Sequence, residues 1–398
     1  MGAPPLTPPL AKRGAGWRVI VASDKFKGTL RSDEVAAAVG DGVRRVRPNA
    51  VVGAVPVADG GDGTLAAVVA AGFELVPVVA SGPTGEPVES GFARRGEVAV
   101  VELADVSGLV RLPGGKAAPM TATSRGAGEV MAAAIDSGCT KVILGIGGSA
   151  STDGGAGLVR ALGARLLDAH GEEVTEGGAA LLTAEYLDVT ALHDRIKGVE
   201  IIVACDVDNP LTGPAGAAPT YGPQKGADAA QVKELDTALT HWADLVASAT
   251  RRAVPAVLGE SGLDFRDVAG AGAAGGVGFA ALALLGAELR PGIELVLGLV
   301  GFRERLVGVD LVVTGEGALD EQTLRGKAVA GVAAAANAVG VPVVAVCGTN
   351  LLGPERLSKA GITAAYALTD LQPDVRGCIA DPVPLLRRLG EQIAADLR

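Results

Sequence analysis

Short runs rich in valine and isoleucine recur along this chain, and between them lie segments whose apolar residues return at helical spacing. WRVIVA (17–22) precedes SDEVAAAVGDGVRRV (32–46), and AVVGAVPVA (50–58) precedes a glycine turn and TLAAVVAAG (64–72). KVILGI (141–146), VEIIVA (199–204), DLVVTG (310–315), VPVVAV (341–346) and ITAAYAL (362–368) continue the series. Alternation of this kind predicts α/β layers around parallel sheets. The chain has 58 glycines and only 3% aromatic residues. Its cores must therefore be packed with Val, Leu, Ile and Ala, as in parallel sheets covered by helices. At 398 residues it is too long for one ordinary core, and two or three domains are expected.

One region breaks the rhythm. Residues 73–105, FELVPVVASGPTGEPVESGFARRGEVAVVELAD, read as successive strands joined by tight turns, which predicts antiparallel pairing. A second domain is expected to begin here, inserted into the first. The first sixteen residues contain four prolines and no continuous apolar stretch, so they read as a loose tail rather than a signal peptide. VGFAALALLGA, the most apolar segment, is about half the length that spans a bilayer. A net charge of −10 without any Lys/Arg-rich block argues against nucleic-acid partners, and no membrane partner is expected. The four cysteines are scattered and only three histidines accompany them, which argues against zinc and fits reduced thiols in a cytoplasmic protein. Cys205 and Cys347, in apolar runs, are expected to be buried.

The chemistry is concentrated where the predicted strands end, which is where open α/β sheets bind ligands. Val21 leads into Ser23-Asp24-Lys25-Phe26-Lys27-Gly28, and Val57 into Asp59-Gly60-Gly61-Asp62-Gly63. Leu144 leads into GIGGSASTDGGAG (145–157), and Ala204 into Cys205-Asp206-Val207-Asp208-Asn209. Val313 leads into Thr314-Gly315-Glu316-Gly317, with Asp320 close behind. For any single turn, helix caps and turn glycines are the simpler account. Their accumulation is what counts. Glycine lets backbone N–H groups approach a phosphate, and carboxylates in the same crevice then call for Mg²⁺ or lysine. Asp59, Asp62, Asp206, Asp208 and Glu316 are candidate Mg²⁺ ligands, and Lys25, Lys27, Lys225 and Lys327 are candidate neutralising charges. Such a set describes phosphoryl transfer.

Familiar motifs do not account for it. There is no Walker sequence: Gly326-Lys327 is followed by Ala328, and Gly115-Lys116 by Ala117. GAGAAG (270–275) matches a dinucleotide fingerprint letter for letter, but LDFRDVA before it makes a poor buried strand. Ser149 and Ser151 lack a nucleophile elbow and a partner histidine.

SDKFKGT (23–29), PVADGGDGT (56–64), GIGGSASTDGGAG (145–157), ACDVDNPLTGPAGAAPTYGPQKGA (204–227), GAGAAGGVG (270–278) and DLVVTGEGALDEQTLRGKAVAGVA (310–333) occur in this order. Together they resemble the bacterial glycerate kinases of the first, two-domain family, over roughly Val19 to the C-terminus. The resemblance implies a flavodoxin-like parallel-sheet lobe formed by both chain ends, residues 17–72 and 291–398. The rest, 73–290, would form an inserted mixed-sheet α/β lobe. It further implies transfer of the γ-phosphoryl of ATP to D-glycerate with Mg²⁺, commonly giving 2-phosphoglycerate, in the cleft between the lobes. The chain departs from the family's usual pattern at Asp62, where Glu is common, and at Ala318, where Arg is frequent.

On this reading Asp59, Asp62, Lys25 and Lys27 contact metal or the transferring phosphate. Asp206 and Asp208 suit Mg²⁺ or the glycerate hydroxyl, where one carboxylate could act as base. Asn209 caps a turn or joins them. In YGPQKG, Gln224 and Lys225 are candidates for the substrate carboxylate, with a surface-turn lysine as the alternative. Gly147, Gly148 and Ser149 are expected to offer hydrogen bonds to an anion, glycerate rather than ATP. Thr152 and Asp153 either contact substrate hydroxyls or cap the next helix. Gly315, Glu316, Gly317, Asp320 and Lys327 are the nucleotide-side candidates, with Glu316 joining Asp206 and Asp208 as a metal ligand. A kinase of another small hydroxy acid, a non-catalytic phosphometabolite-binding protein and a GAGAAG-dependent dehydrogenase remain as alternatives.

Overall fold

The computed structural model describes residues 16–26, 28–253, 264–324 and 327–397; the rest of the expected tail lies outside them. The chain opens with β1 (Arg18–Ser23), the helix Ser32–Val46 and β2 (Val51–Ala54). That helix buries Val35, Val39 and Val43 at helical spacing. Ser32 does not cap it; its hydroxyl donates to the Ser23 carbonyl at 2.7 Å, while Glu34 reaches back to the Arg31 N–H at 2.8 Å. After the helix Thr64–Ala70 come β3 (Glu74–Ser81), β4 (Pro87–Arg95), β5 (Val98–Glu102) and β6 (Lys141–Gly145). Next are the short β7 (Arg165–Leu167) and β8 (Tyr186–Asp188), then β9 (Glu200–Ala204) and β10 (Glu288–Arg290). The chain finishes with β11 (Leu311–Leu319), β12 (Val343–Asn350), β13 (Ala364–Ala367) and the helix Pro382–Asp396.

Packing divides the chain into two units, Met1–Ala58 with Val296–Arg398, and Asp59–Leu295. The break falls at Asp59 rather than Phe73 because the helix Thr64–Ala70 packs on β4 and β5. At the far end, β10 and the start of the next helix stay with the inserted unit, which moves that boundary past residue 291.

In the unit built from the chain ends, five parallel strands lie in the order β13-β12-β11-β1-β2. Counted within the unit this is 2-1-3-4-5, the flavodoxin-like order, which reverses between β1 and β11. Val21, Val39, Val313, Val346, Leu386 and Ile393 belong to its core. The inserted unit carries a mixed sheet, β10-β9-β6-β5-β4-β3. β5, β6, β9 and β10 run parallel, and β3 and β4 are antiparallel, as the 73–105 pattern predicts. Its separate core includes Phe92, Met131, Leu144, Val203, Trp242 and Phe279. No described helix is long and apolar enough to cross a membrane.

Candidate active site

Within the inserted unit the parallel strands deliver four backbone segments to one edge of the sheet. Glu102 ends β5, Gly145 ends β6, Ala204 ends β9, and Gly292 follows β10. The Asp59–Thr64 turn lies against all of them. A Cβ on Gly60 would stand 2.6 Å from that of Ala204, one on Gly145 2.5 Å from the Gly60 carbonyl oxygen, and one on Gly147 2.6 Å from the Gly61 Cα. One on Gly292 would stand 2.0 Å from the Asp59 carbonyl oxygen. Side-chain-free backbone at these positions is what lets the segments touch.

Asp59 and Asp206 are brought together by this contact. The Asp206 Oδ1 accepts a hydrogen bond from the Gly292 N–H at 2.8 Å, at the start of the helix Gly292–Leu299. Partial desolvation pushes the Asp206 carboxyl up to about 6 against that hydrogen bond, and the Asp59 and Glu294 charges add to the rise. Asp59 Oδ1 accepts the Gly61 N–H at 3.3 Å, while Asp62 is exposed on the outside of the turn. Asp208 is exposed two residues beyond Asp206. Asn209 is committed elsewhere. Its amide donates to the Ala215 carbonyl at 2.9 Å and its Oδ1 accepts the Tyr221 hydroxyl at 2.6 Å, which ties the loop to the helix Ala217–Tyr221. The turn-capping alternative describes it better than a ligand contact.

Lys225 is not a surface-turn lysine. It is 3% exposed, and its ammonium donates to the Ser149 hydroxyl at 2.9 Å and to the Ser151 carbonyl. Burial pulls it down to about 7, partly offset by the Asp153 charge. Gln224, next to it, is exposed. In the turn after β6, Gly148 is exposed and Gly147 half-buried, with Ser149 held from behind by Lys225.

Asp153 and Thr152 lie behind that surface. Asp153 is 1% exposed and accepts the Ser124 N–H and hydroxyl, both at 2.8 Å, and the Gly155 and Gly157 N–H groups, both at 3.2 Å. With its oxygens occupied it caps the helix Ala156–Ala161, and desolvation raises its pKa. Thr152 is wholly buried, its backbone pressed against Gly178 and Gly275. Contact with substrate hydroxyls does not follow for either residue. GAGAAGGVG is the backing of both loops: a Cβ on Gly275 would lie 2.1 Å from the Ser151 carbonyl oxygen, and one on Gly272 2.2 Å from that of Pro210. Residues 264–272 before it form turns rather than a strand, so the dinucleotide reading has no strand to stand on.

The other unit holds the remaining candidates. Asp24 and Lys25 directly follow β1, where Ser23 pairs with Gly315 of β11; Lys27 lies outside the described residues. Gly315, Glu316 and Gly317 are not a turn but the continuation of β11, with Glu316 opposite Cys347 in β12. The turn begins at Asp320, whose Oδ1 accepts the Gln322 and Thr323 N–H groups at 2.8 and 3.0 Å, holding its pKa down. Asp320 is thereby a turn former, and Lys327 Nζ lies 3.5 Å from the Gln322 side chain. Burial raises the Cys347 thiol, whereas Cys205 is only half-buried.

Among the described residues no three His, Cys, Asp or Glu side chains gather into a ready-made metal cage. Asp206 and Asp59 fit a different arrangement, in which Mg²⁺ is held by one or two carboxylates and by substrate phosphates. One buried carboxylate escaped the sequence reading. Glu102 is 5% exposed and accepts the Gly63 and Leu65 N–H groups at 3.1 and 2.8 Å. Desolvation outweighs those bonds and, with the Asp62 and Asp105 charges, pushes it up to about 7. Its signal was an acid closing the apolar run VAVV.

The profile of the glycerate kinase family matches residues 19–398. A glycerate kinase of Bacillus subtilis (strain 168) is 41% identical over 384 residues, 96% of this chain and 98% of that protein. The glycerate 2-kinase of Escherichia coli (strain K12) is 43% identical over 355 residues, covering 88% and 90%. A crystal structure named for glycerate kinase 2 of Salmonella typhimurium LT2 superposes with a TM-score of 0.78 at 39% identity, covering 96% of this chain and 98% of that one. With strand-end carboxylates and glycine turns on both sheets, and with these matches across its length, the chain belongs to the glycerate kinase family, phosphotransferases acting on an alcohol group.

Proposed function

We propose that this protein transfers the γ-phosphoryl group of ATP, accompanied by Mg²⁺, to the C2 hydroxyl of D-glycerate, giving 2-phosphoglycerate and ADP. The observation that carries the reading is the convergence of Asp59 and Asp206 beside the open, amide-rich Gly147–Ser149 turn. The glycerate carboxylate is assigned to the Gly147, Gly148 and Ser149 side of the inserted unit. The nucleotide phosphates are assigned to Lys25 and to Gly315–Gly317, at the point where the flavodoxin-like strand order reverses. In the transfer, the C2 oxygen forms its bond to the γ-phosphorus as the bond to the bridging oxygen breaks. The hydroxyl proton passes to a carboxylate, and Asp206, held beside Asp59 by the Gly292 N–H, is assigned to take it. Mg²⁺ supplies charge neutralisation on the phosphates.

Purified protein with ATP, Mg²⁺ and D-glycerate should release ADP in proportion to glycerate, and phosphorus NMR should identify 2-phosphoglycerate. Formation of 3-phosphoglycerate would overturn the C2 assignment, and ADP release indifferent to glycerate would overturn the reading as a whole. Asp206→Asn should lower kcat by about a hundredfold or more, the usual scale for a lost general base. Wild-type turnover in that variant would remove Asp206 from the chemistry.

A further inference from the structure

The Asp59–Thr64 turn is pinned from two sides, and on one of them the Gly60 carbonyl accepts the Gly147 N–H at 3.3 Å. Gly60 and Gly61 are held by backbone contact with Ala204, Gly145 and Gly147. Within the turn, the Thr64 hydroxyl donates to the Gly61 carbonyl at 2.7 Å. On the far side the anchor is polar: the Glu102 Oε1 takes the Gly63 N–H and its Oε2 takes the Leu65 N–H. Glu102 is the last residue of β5, in register with Gly145 of β6, so its Cα is fixed by the central parallel ladder. Between the two anchors stands Asp62, the exposed acid of the turn.

We infer that Glu102 is a positioning residue of the transfer reaction, holding both amides of the Gly63–Leu65 segment and thereby fixing the direction in which Asp62 leaves the turn. The anchor requires two acceptor oxygens on one side chain. Two N–H donors need two acceptors; a carboxamide offers one oxygen and turns its NH₂ group toward the second donor. An apolar residue leaves both part-buried amides without the acceptors they have here. The simplest competing account makes Glu102 only a stabiliser of the helix that starts at Thr64, and that account places no demand on Asp62. The inference rests on the proposed kinase reading for its kinetic consequence, but not for its structural one.

Glu102→Gln, Asp62→Asn and the double variant, each in the full chain, test it by a double-mutant cycle. Glu102→Gln should fold, lower kcat about tenfold or more and leave KM for ATP within about twofold. The double variant should be no slower than Asp62→Asn alone, because Glu102 acts through Asp62. Full additivity, or wild-type kcat in either single variant, would overturn the inference. Hydrogen exchange without substrate gives a readout independent of turnover. One of the Gly63 and Leu65 amides, the one left facing the carboxamide NH₂, should lose protection in Glu102→Gln while the amides of β5 and β6 keep theirs, and unchanged protection of both would refute the anchor. A wild-type protein inactive on glycerate, with the exchange result as expected, would sink the kinase reading and leave the anchor standing.

Discussion

The Lys225 side chain ends on a serine hydroxyl and a carbonyl oxygen, both neutral, with no carboxylate of the described residues in hydrogen-bond contact. A neutral amine can still donate to both acceptors, and burial favours the neutral form, so the group sits at about 7 instead of its usual 10.5. At this group the unfolded chain therefore binds more protons than the folded one between about pH 7 and 10.5, and the lysine's contribution to stability rises with pH across that window. The lysine's contribution is present above 10.5 and is lost as the pH falls through 7. Against Lys225→Met, denaturant unfolding at pH 7 and 9.5 should show the wild type gaining on the variant at the higher pH. The gain should be on the order of 2–4 kcal/mol across the full window. A difference that stays constant with pH would show the lysine to be charged throughout. None of this was legible in YGPQKG, where a lysine between turn residues reads equally as surface. Its burial is imposed by Ser149 and Ser151, more than seventy positions away. Asp153 and Asp320 carry the same lesson. Both stand in glycine-rich motifs, and only the count of N–H groups already bound to their oxygens separates a turn-holding carboxylate from a ligand-facing one.

At the scale of elements, the central strands β1, β6, β9, β11 and β12 were legible because each carries a Val/Ile-rich run, and the hairpin strands because turns punctuate them. Three-residue strands such as β7, β8 and β10 carry too short a pattern to be read. β11 was read short for a different reason: Gly315-Glu316-Gly317 looks like a turn, yet it stays extended because β12 continues beside it as far as Asn350. What the glycines of the inserted unit's site do was invisible for a related cause, since each answers to a backbone distant in sequence. Gly147 is the sharpest case. A methyl there would press on the Gly61 Cα at 2.6 Å and push the Asp59–Thr64 turn off its seat. Gly147→Ala should therefore lose about 1–3 kcal/mol of stability, the usual range for forced overpacking, and at least tenfold in kcat. Gly53→Ala in β2, where a Cβ meets nothing within 4 Å, is the control and should alter neither by a measurable amount. Equal behaviour of the two variants, by thermal melting and by ADP release, would show that the turn accommodates the methyl and that the close approach is not a constraint.

At the scale of the whole molecule, the insertion was legible as a change of pairing mode, but its edge was not. Strand-helix alternation continues unbroken through the helix Thr64–Ala70, and nothing local tells which sheet that helix covers; it covers β4 and β5. The true edge at Asp59 has a geometric sense of its own. The two ends of the inserted unit meet, with Gly292 packed on the Asp59 backbone, so the segment enters and leaves its own fold at one place. It also has a six-stranded sheet and a core built from residues between Ala80 and Ala287 alone. A unit with its own core and adjoining ends has what independent folding requires. The fragment Asp59–Leu295, expressed alone, should thus unfold in a single cooperative transition and retain protected amides in β5, β6 and β9. It lacks Lys25 and Glu316, and should phosphorylate no glycerate. A fragment that collapses without a cooperative melt would show that the inserted sheet depends on the flavodoxin-like unit for its stability. Full turnover in the isolated fragment would remove that unit from the reaction altogether.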